Sequence, residues 1–215
     1  TTWIALRSGS KAFMSGVSGN FRPVGSMVNS NGYYHSISNN MEERNSYRFG
    51  SGAPSVPATS TYTQTFNNTS RQSYQYAWSN WSTDGSCKQG SWGYGLRGGH
   101  MFFDISSIRS FLSGTVQDGN TITLTRASSG GLSGQSNVYI NGSTCSSASG
   151  TPSYSNQTHL GTLGWGETKT FTLPKSIVQS LKNGTCSSLA VYVNSSAQNN
   201  YINITSASIT LKVNK

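Results

Sequence analysis

The stretch KQGSWGYGLRGGHMFFDISSIR, residues 88–109, does most to decide the fold. It contains HMFFDI (100–105), a continuous apolar run that is typical of a strand buried on both faces. The run leads into SSIRSFLSG (106–114), where a serine can cap a short helix and Gly114 can end it. The stretch therefore predicts a buried strand followed directly by a helical turn, with aromatic residues among glycines ahead of both.

On either side of this stretch, short strands are predicted between turn residues. The segment TYTQTF (61–66) alternates polar and apolar residues, as a half-buried strand does. Other strands are predicted at YQYAW (74–78), TITLTRAS (121–128), SNVYING (136–142), KTFTLP (169–174), SLAVYVN (188–194) and SASITLKV (206–213). KSIVQSLKNG (175–184) has apolar residues at helical spacing and ends at a glycine, which predicts a short helix. The predicted fold class is all-β, an antiparallel jelly-roll-like β-sandwich with one or two short helices.

A boundary is predicted at SGAPSVPATS (51–60), which contains two prolines among small residues. We therefore expect two parts, a small β-rich N-terminal segment at 1–58 and the sandwich at 59–215. The last predicted strand, at 206–213, would complete a sheet, so its removal should unfold the sandwich.

The charge of the chain is sparse and positive. Charged residues make up 10% of the 215 residues, where an ordinary globular domain has about 25%. The net charge is +9, yet the basic residues are scattered and form no recognisable nucleic-acid module. This pattern favours general affinity for acidic cell-envelope polymers over specific nucleic-acid binding. No apolar run approaches the ~20 residues of a membrane span, so membrane insertion is not expected.

Cysteine and histidine spacing predicts no metal or cofactor. The three cysteines fit neither a zinc site nor a redox CxxC motif, and the three histidines lie far apart in the chain. Cys145 and Cys186 occur in similar turns, STCSS and GTCSS, which suits either a disulfide between them or free thiols.

Aromatic residues in polar loops are the main candidates for ligand binding. A ring face packs well against the C–H face of a sugar, although tryptophans in a sandwich are often core residues instead. The aromatic candidates are Trp78, Trp81, Trp92, Tyr94 and Trp165. Arg97 suits a sugar carboxylate or a teichoic phosphate, or alternatively a structural salt bridge to Asp104. Recognition of a flat polar ligand is therefore the leading hypothesis.

Catalytic residues are not predicted. Acid–base chemistry needs two converging carboxylates, or a carboxylate and a histidine. Asp84 and Asp118 each precede glycine, which is typical of turns, and Asp104 and Glu167 have a structural context. No serine lies in a nucleophile-elbow motif. An undetected glycosidase pair stays open as an alternative.

Four motifs in order resemble a β-sandwich module of phage tail-fibre and minor structural proteins, mainly from phages of Gram-positive hosts, which is also found in bacterial surface proteins. They are GSWGYGLRGGHMFFDISSIRSFLSG (90–114), TITLTRASSGG (121–131), LGWGETKTFTLP (163–174), and SIVQSLKNGT (176–185) followed by LAVYV (189–193). The resemblance covers roughly 61–215.

The resemblance implies a non-enzymatic, often homotrimeric domain on a virion tail or a cell surface. Its implied partner is a host-surface polysaccharide or teichoic acid, and residues 1–58 would be a shaft end or a trimerisation region. The alternatives are a structural subunit of a fibre, pilus or capsid, a carbohydrate-binding accessory domain of a cell-wall hydrolase, and a hydrolase or lyase.

Overall fold

A computed structural model describes residues 59–91, 93, 95–194 and 200–215, together with the backbone of four strands before residue 49. The chain divides into two compact units, Thr1–Ala58 and Thr59–Lys215. Each unit is described separately below.

The N-terminal unit contains one sheet of four short strands. These are β1 (Thr2–Ile4), β2 (Phe13–Ser15), β3 (Tyr33–Ile37) and β4 (Glu43–Arg48). The strands are adjacent in chain order, with a parallel pair at β2 and β3 and antiparallel pairs elsewhere. The described backbone of this unit is thus β-rich.

The second unit is built almost entirely of strands in its described residues. They are β5 (Thr61–Asn67), β6 (Ser70–Gln75), β7 (Asn80–Trp81), β8 (Lys88–Ser91), β9 (Leu96–Phe102), β10 (Thr115–Val116), β11 (Thr121–Arg126), β12 (Ser136–Ser143), β13 (Thr158–Leu163), β14 (Thr168–Thr172), β15 (Ser188–Val191) and β16 (Asn200–Asn214). Two helices, α1 (Ile105–Phe111) and α2 (Lys175–Asn183), and a 3-10 helix, Tyr76–Trp78, complete it.

The long strand β16 connects two antiparallel sheets. Toward its C-terminal end it lies between β5 and β11, and β14 follows β11, which forms the first sheet. At its N-terminal end, residues 200–203 pair with β8. The second sheet runs β13, β12, β15, β9, β6, β7, with β8 joining the end of β9 to β16. A strand of 15 residues is long enough to serve both layers.

One apolar core fills the space between the sheets. In β11 and β16 alternate residues point inward, as a strand with one buried face requires, and Ile122 and Ile209 are fully buried. The helix α2 adds Ile177, Val178 and Leu181, which share one face at helical spacing. Burial of these side chains supplies the main driving force for folding.

A buried arginine, Arg126, is only 2% exposed at the end of β11. Its guanidinium donates hydrogen bonds to the carbonyl oxygens of Gly134 and Leu163 at 2.7 and 2.8 Å, and to that of Leu132. Burying a charge is costly unless it is well hydrogen-bonded, and these three carbonyls meet that need. The side chain thereby fastens the loop after β11 to the end of β13.

The prediction of an all-β sandwich with short helices is confirmed, although several predicted strands end earlier than expected. YQYAW (74–78) is strand only as far as Gln75, because the chain then forms the 3-10 helix and Ser79 takes a left-handed conformation with φ 49°. HMFFDI is strand only to Phe102. The strand ends because α1 begins at Ile105. Asp104 caps this helix by accepting hydrogen bonds from the Ser107 amide and hydroxyl, at 3.1 and 2.6 Å.

Cys87, Cys145 and Cys186 are free thiols, so Cys145 and Cys186 do not form a disulfide in this structure. Neither described helix has the length and apolar character needed to cross a bilayer.

Candidate functional site

The residues predicted to bind ligand occupy different environments. Trp92 and Tyr94 lie outside the described residues. Trp78, in the 3-10 helix, and Trp165, in the turn between β13 and β14, are 58% and 38% exposed. Trp81 is half-buried and Arg97 is buried. The two exposed indoles are therefore the ones that offer an open ring in the described structure.

Trp81 belongs to an aromatic cluster on the side of β9 that faces away from the core. The aromatic cluster comprises Tyr74, Tyr76, Trp81, His100, Phe102, Tyr154 and Tyr192. The Trp81 ring meets Tyr74 and His100 edge-on, with centroids 5.3 and 4.9 Å apart. Burial raises the pKa of Tyr76 to about 12 and also raises that of Tyr154, so both phenols are neutral.

A segment of small polar residues, 144–155, covers this cluster and is called the covering segment below. The Trp81 indole N–H donates to the Gly150 carbonyl at 2.9 Å, and the Tyr74 hydroxyl bonds the Thr151 hydroxyl at 3.0 Å. Tyr154 stacks on Tyr192 with ring centroids 4.2 Å apart. The Trp81 ring is thus largely occupied by contacts with other residues of the protein and is less available to a ligand.

The environment of Trp165 is set by the buried arginine described above. The Arg126 guanidinium lies 5.7 Å from the centroid of the Trp165 ring, within the range of a cation–π interaction. The Trp165 indole therefore lies beside the buried Arg126 side chain and still exposes part of its surface.

Arg97 does not pair with Asp104, the structural alternative considered from the sequence. The Asp104 carboxylate is used by Ser106 and Ser107 at the start of α1, and these hydrogen bonds lower its pKa to about 2. Arg97 instead lies in the middle of the second sheet, where its backbone is opposite Gln75 of β6 and Gly90 of β8.

A groove of about 680 Å³ lies at the corner of the sandwich, beside β16, and we call it the Arg71 groove. Its walls carry hydroxyl and amide side chains and one guanidinium, and no carboxylate is among the lining residues. They are Asn67, Asn68, Thr69, Ser70, Arg71, Gln72, Gly85, Thr123, Thr125, Ser206, Ala207 and Ser208.

The groove forms because β16 changes partners here. The strand β5 pairs with β16 as far as Asn67 opposite Ser208, and β8 takes over only at Lys88 opposite Asn203. The intervening stretch of β16 has no strand on that side. Asn68 partly fills the gap, because its side-chain oxygen accepts from the Ala207 amide at 2.8 Å. The chain then crosses to β6 in the other sheet and leaves an open, polar corner.

Arg71 brings a positive charge into this corner. It lies on β6 opposite Met101 of β9, and its Nε–H is buried without a hydrogen-bond acceptor in the described part of the chain. Its neighbour Gln72 lies opposite His100, on the other face of the sheet, and its side-chain oxygen is also buried without a partner in the described residues. Buried polar atoms normally have partners, so the Arg71 Nε–H is an exception that calls for an acceptor.

No described acidic group neutralises that charge. Asp84, next to the groove residue Gly85, is paired with Lys88 at 3.2 Å and accepts from the Ser86 amide. Burial raises the pKa of the Cys87 thiol to about 12, although the charge of Arg71 acts in the opposite direction, so the thiol is neutral.

The groove opens onto a flat hydroxyl face on the outer side of the first sheet. The hydroxyl face comprises Thr65, Thr121, Thr123, Thr125, Thr168, Thr170, Thr172, Ser206, Ser208 and Thr210. Neighbouring hydroxyls on this face bond one another, with Thr123 and Thr170 at 2.8 Å and Thr125 and Thr168 at 2.9 Å. The face has the hydrogen-bonding character of a sugar surface and carries no acid.

The other described carboxylates have structural partners. Asp118 pairs with Lys175 at 3.2 Å, and Glu167 accepts from the Gly164 amide. Within the described residues, no three His, Cys, Asp or Glu side chains come together in the manner of a metal site.

Sequence reasoning missed the Arg71 groove. Arg71 was one of many scattered basic residues, and the other walls come from β5, β11 and β16, which are far apart in the chain. The usable signal was the alternation of threonines in TYTQTF and TITLTRAS, which places hydroxyls on the outer face of two strands.

Comparison with models of protein families matched none of them, and comparison with curated proteins found no match.

Proposed function

We propose that the second unit is a non-enzymatic binding module for a cell-envelope glycan, and that the Arg71 groove is its binding site. The observation that carries the proposal is a groove of about 680 Å³ whose walls offer hydroxyls, amides and one guanidinium but no carboxylate. Its volume lies in the range of small-ligand sites. Such walls can match the dense hydroxyls of a saccharide, because Ser, Thr, Asn and Gln both donate and accept hydrogen bonds.

The biological setting of the proposal comes from the resemblance to tail-fibre modules. In that setting the protein is a homotrimer at the tip of a phage tail fibre or a similar surface appendage, and it engages a host polysaccharide or teichoic acid. Three linked sites would strengthen weak individual contacts through multivalency. The net charge of +9 supports attraction to acidic envelope polymers.

Aromatic residues outside the groove lining are further candidates for sugar contacts in this proposal. Trp78 and Trp165 are the exposed rings, and Trp92 and Tyr94 keep the role predicted from the sequence. Trp81 and Arg97, which are largely enclosed, support the fold around the site in this proposal.

The test is binding to a panel of envelope polysaccharides by glycan array and cell-wall pull-down. The informative variant replaces two groove hydroxyls, Thr123→Val with Thr125→Val, which keeps shape and strand propensity. We expect at least a tenfold loss of affinity. The matched control makes the same change on β13, Thr158→Val with Thr162→Val, and we expect it to bind as the wild type does.

Several outcomes would overturn the proposal. Folded protein that binds no envelope polysaccharide would do so. Release of reducing ends from a host polysaccharide would indicate a hydrolase or lyase instead. Filaments or large closed shells in light scattering, without glycan binding, would favour a structural subunit.

A further inference from the structure

We infer that the Arg71 groove binds the anionic group of an acidic glycan, a phosphate or a carboxylate, and that Arg71 is the residue that holds it. This inference rests on the proposed function above, and it names the chemical class of the ligand at that site.

The Arg71 guanidinium has an N–H donor for which the described residues supply no acceptor. Its Nε–H is buried and has no acceptor in the described part of the chain, and no described carboxylate forms an ion pair with it. Leaving a charged donor buried and unpaired is destabilising by more than leaving a neutral one. A planar, two-oxygen anion can bond a guanidinium along two parallel N–H groups.

The surroundings favour an anion over a neutral group. The lining residues include no acid, and the nearest acid along the chain, Asp84, is held by Lys88 at 3.2 Å. The hydroxyl of Ser206 stands in the same wall and can rotate to donate to an oxyanion. A positive charge inside a groove with low-dielectric walls acts more strongly on a ligand than one on an open surface.

Two other features of the molecule give weaker support for a ligand site. The aromatic cluster includes buried His100, whose ring nitrogens have no partner in the described structure, but the covering segment already fills the space above it. The smaller groove of about 280 Å³ beside Gln89 has that side chain bonded to Asn137 and Tyr139 at 2.9 and 2.7 Å. Of these two grooves, the Arg71 groove is the one whose lining includes a charged side chain.

The experiment uses the full chain and starts with two small probes, inorganic phosphate and acetate, against sodium chloride at equal ionic strength. A ligand that binds only the native state stabilises it by RT ln(1 + [L]/Kd), so Tm rises with ligand concentration. We expect phosphate or acetate to raise the Tm of the wild type, and to leave Arg71→Gln unchanged. The matched control, Lys175→Gln, removes one positive charge from an exposed ion pair and should respond as the wild type does.

The second measurement uses polymers, namely a polyglycerol-phosphate chain, a polyuronate and a neutral polysaccharide of similar length. We expect Arg71→Gln to weaken binding of the preferred acidic polymer at least tenfold, with a smaller loss for Arg71→Lys because an ammonium lacks the planar fork. The stronger of the two acidic polymers shows whether phosphate or carboxylate is the natural group.

The outcomes separate the inference from the proposed function. Glycan binding that is equal for the wild type and Arg71→Gln, and equal for neutral and acidic polymers, would overturn the inference while leaving the groove a glycan site. Absence of any glycan binding by folded wild type would overturn the proposed function itself. A folding defect is recognised separately by the Tm of Arg71→Gln without ligand, which we expect to lie near that of the wild type because the amide keeps hydrogen-bonding groups at this position.

Discussion

At the scale of single residues, burial determines which polar groups can carry charge. His100 on β9 is fully buried among neutral rings, and Trp81 and Tyr154 lie against it. Burial lowers the pKa of His100 to about 3. The imidazole is therefore neutral in the folded protein at any pH near 7, and protonation must accompany unfolding.

The pH dependence of stability follows from that shift. The unfolded imidazole has an ordinary pKa near 6.5, so between pH 6.5 and about 3 the unfolded state binds the additional proton. We expect the free energy of unfolding of the wild type to fall by about 1.4 kcal/mol per pH unit below pH 6.5 from this residue. Urea denaturation at pH 6.5, 5.5 and 4.5 measures it, and His100→Phe should lose that contribution. Equal slopes in the wild type and variant would contradict the assignment.

The carboxylate of Asp104 is predicted to stabilise the start of α1. It accepts from the Ser107 amide at 3.1 Å and from both serine hydroxyls at 2.6 Å. Asp104→Ala should lower Tm by roughly a few degrees, because the first turn of the helix loses its acceptor. Asp118→Ala is the control, since that carboxylate makes only an exposed ion pair, and it should leave Tm nearly unchanged. Equal changes in the two variants would argue against the cap.

At the scale of elements, packing of the covering segment depends on one glycine in β9. Gly98 has no side chain, and the Tyr154 hydroxyl occupies the position where a Cβ would lie, with Tyr192 beside it at 3.2 Å. The base of the segment is fixed by the Thr144 amide, which donates to the Ser153 carbonyl at 3.3 Å. The close approach of Tyr154 to the sheet thus requires glycine at position 98.

Gly98→Ala is therefore expected to displace the covering segment. The added methyl collides with Tyr154, and overpacking of this kind lowers the free energy of unfolding by about 1–3 kcal/mol. Near-UV circular dichroism should report the disturbed tyrosine and tryptophan packing, and urea denaturation should report the lost stability.

A double variant is the control for that effect. Tyr154→Ala removes the group that collides, so Gly98→Ala should be milder in the Tyr154→Ala background than in the wild type. Strictly additive effects would show that the two residues do not collide.

At the scale of the whole molecule, the low density of charged residues and the net positive charge are compatible with the proposed binding of acidic glycans. Charged residues are 10% of the chain, and the net charge is +9. The hydroxyl face of the first sheet is compatible with close approach to a hydrated glycan.

The trimer implied by the family resemblance is testable by mass. Size-exclusion chromatography with light scattering should give three times the 23.0 kDa of one chain. Binding of the trimer to a polymeric glycan should exceed binding to a short oligosaccharide by at least tenfold, because linked sites act at high effective concentration. A monomeric mass would remove the multivalent part of the proposal, and a filament would favour a structural subunit.

The order and nature of most elements could be predicted from the sequence, because local patterns decide them. The alternation in TITLTRAS predicts a strand with Ile122 and Leu124 facing inward, and β11 has this arrangement. The apolar spacing of Ile177, Val178 and Leu181, ended by a glycine, predicts α2. The end of β6 escaped prediction, because YQYAW continues the alternation while the chain turns into a 3-10 helix.

The sequence alone determined the fold class, the two helices and the outward direction of the threonines, since these depend on neighbours only a few positions away. The tertiary structure alone decided the Arg71 groove and the enclosure of Trp81. The groove exists because β16 exchanges β5 for β8, and Trp81 is enclosed by a hydrogen bond to Gly150, 69 positions away. Contacts of this kind depend on strand register and on how the sheets close, which local patterns do not specify.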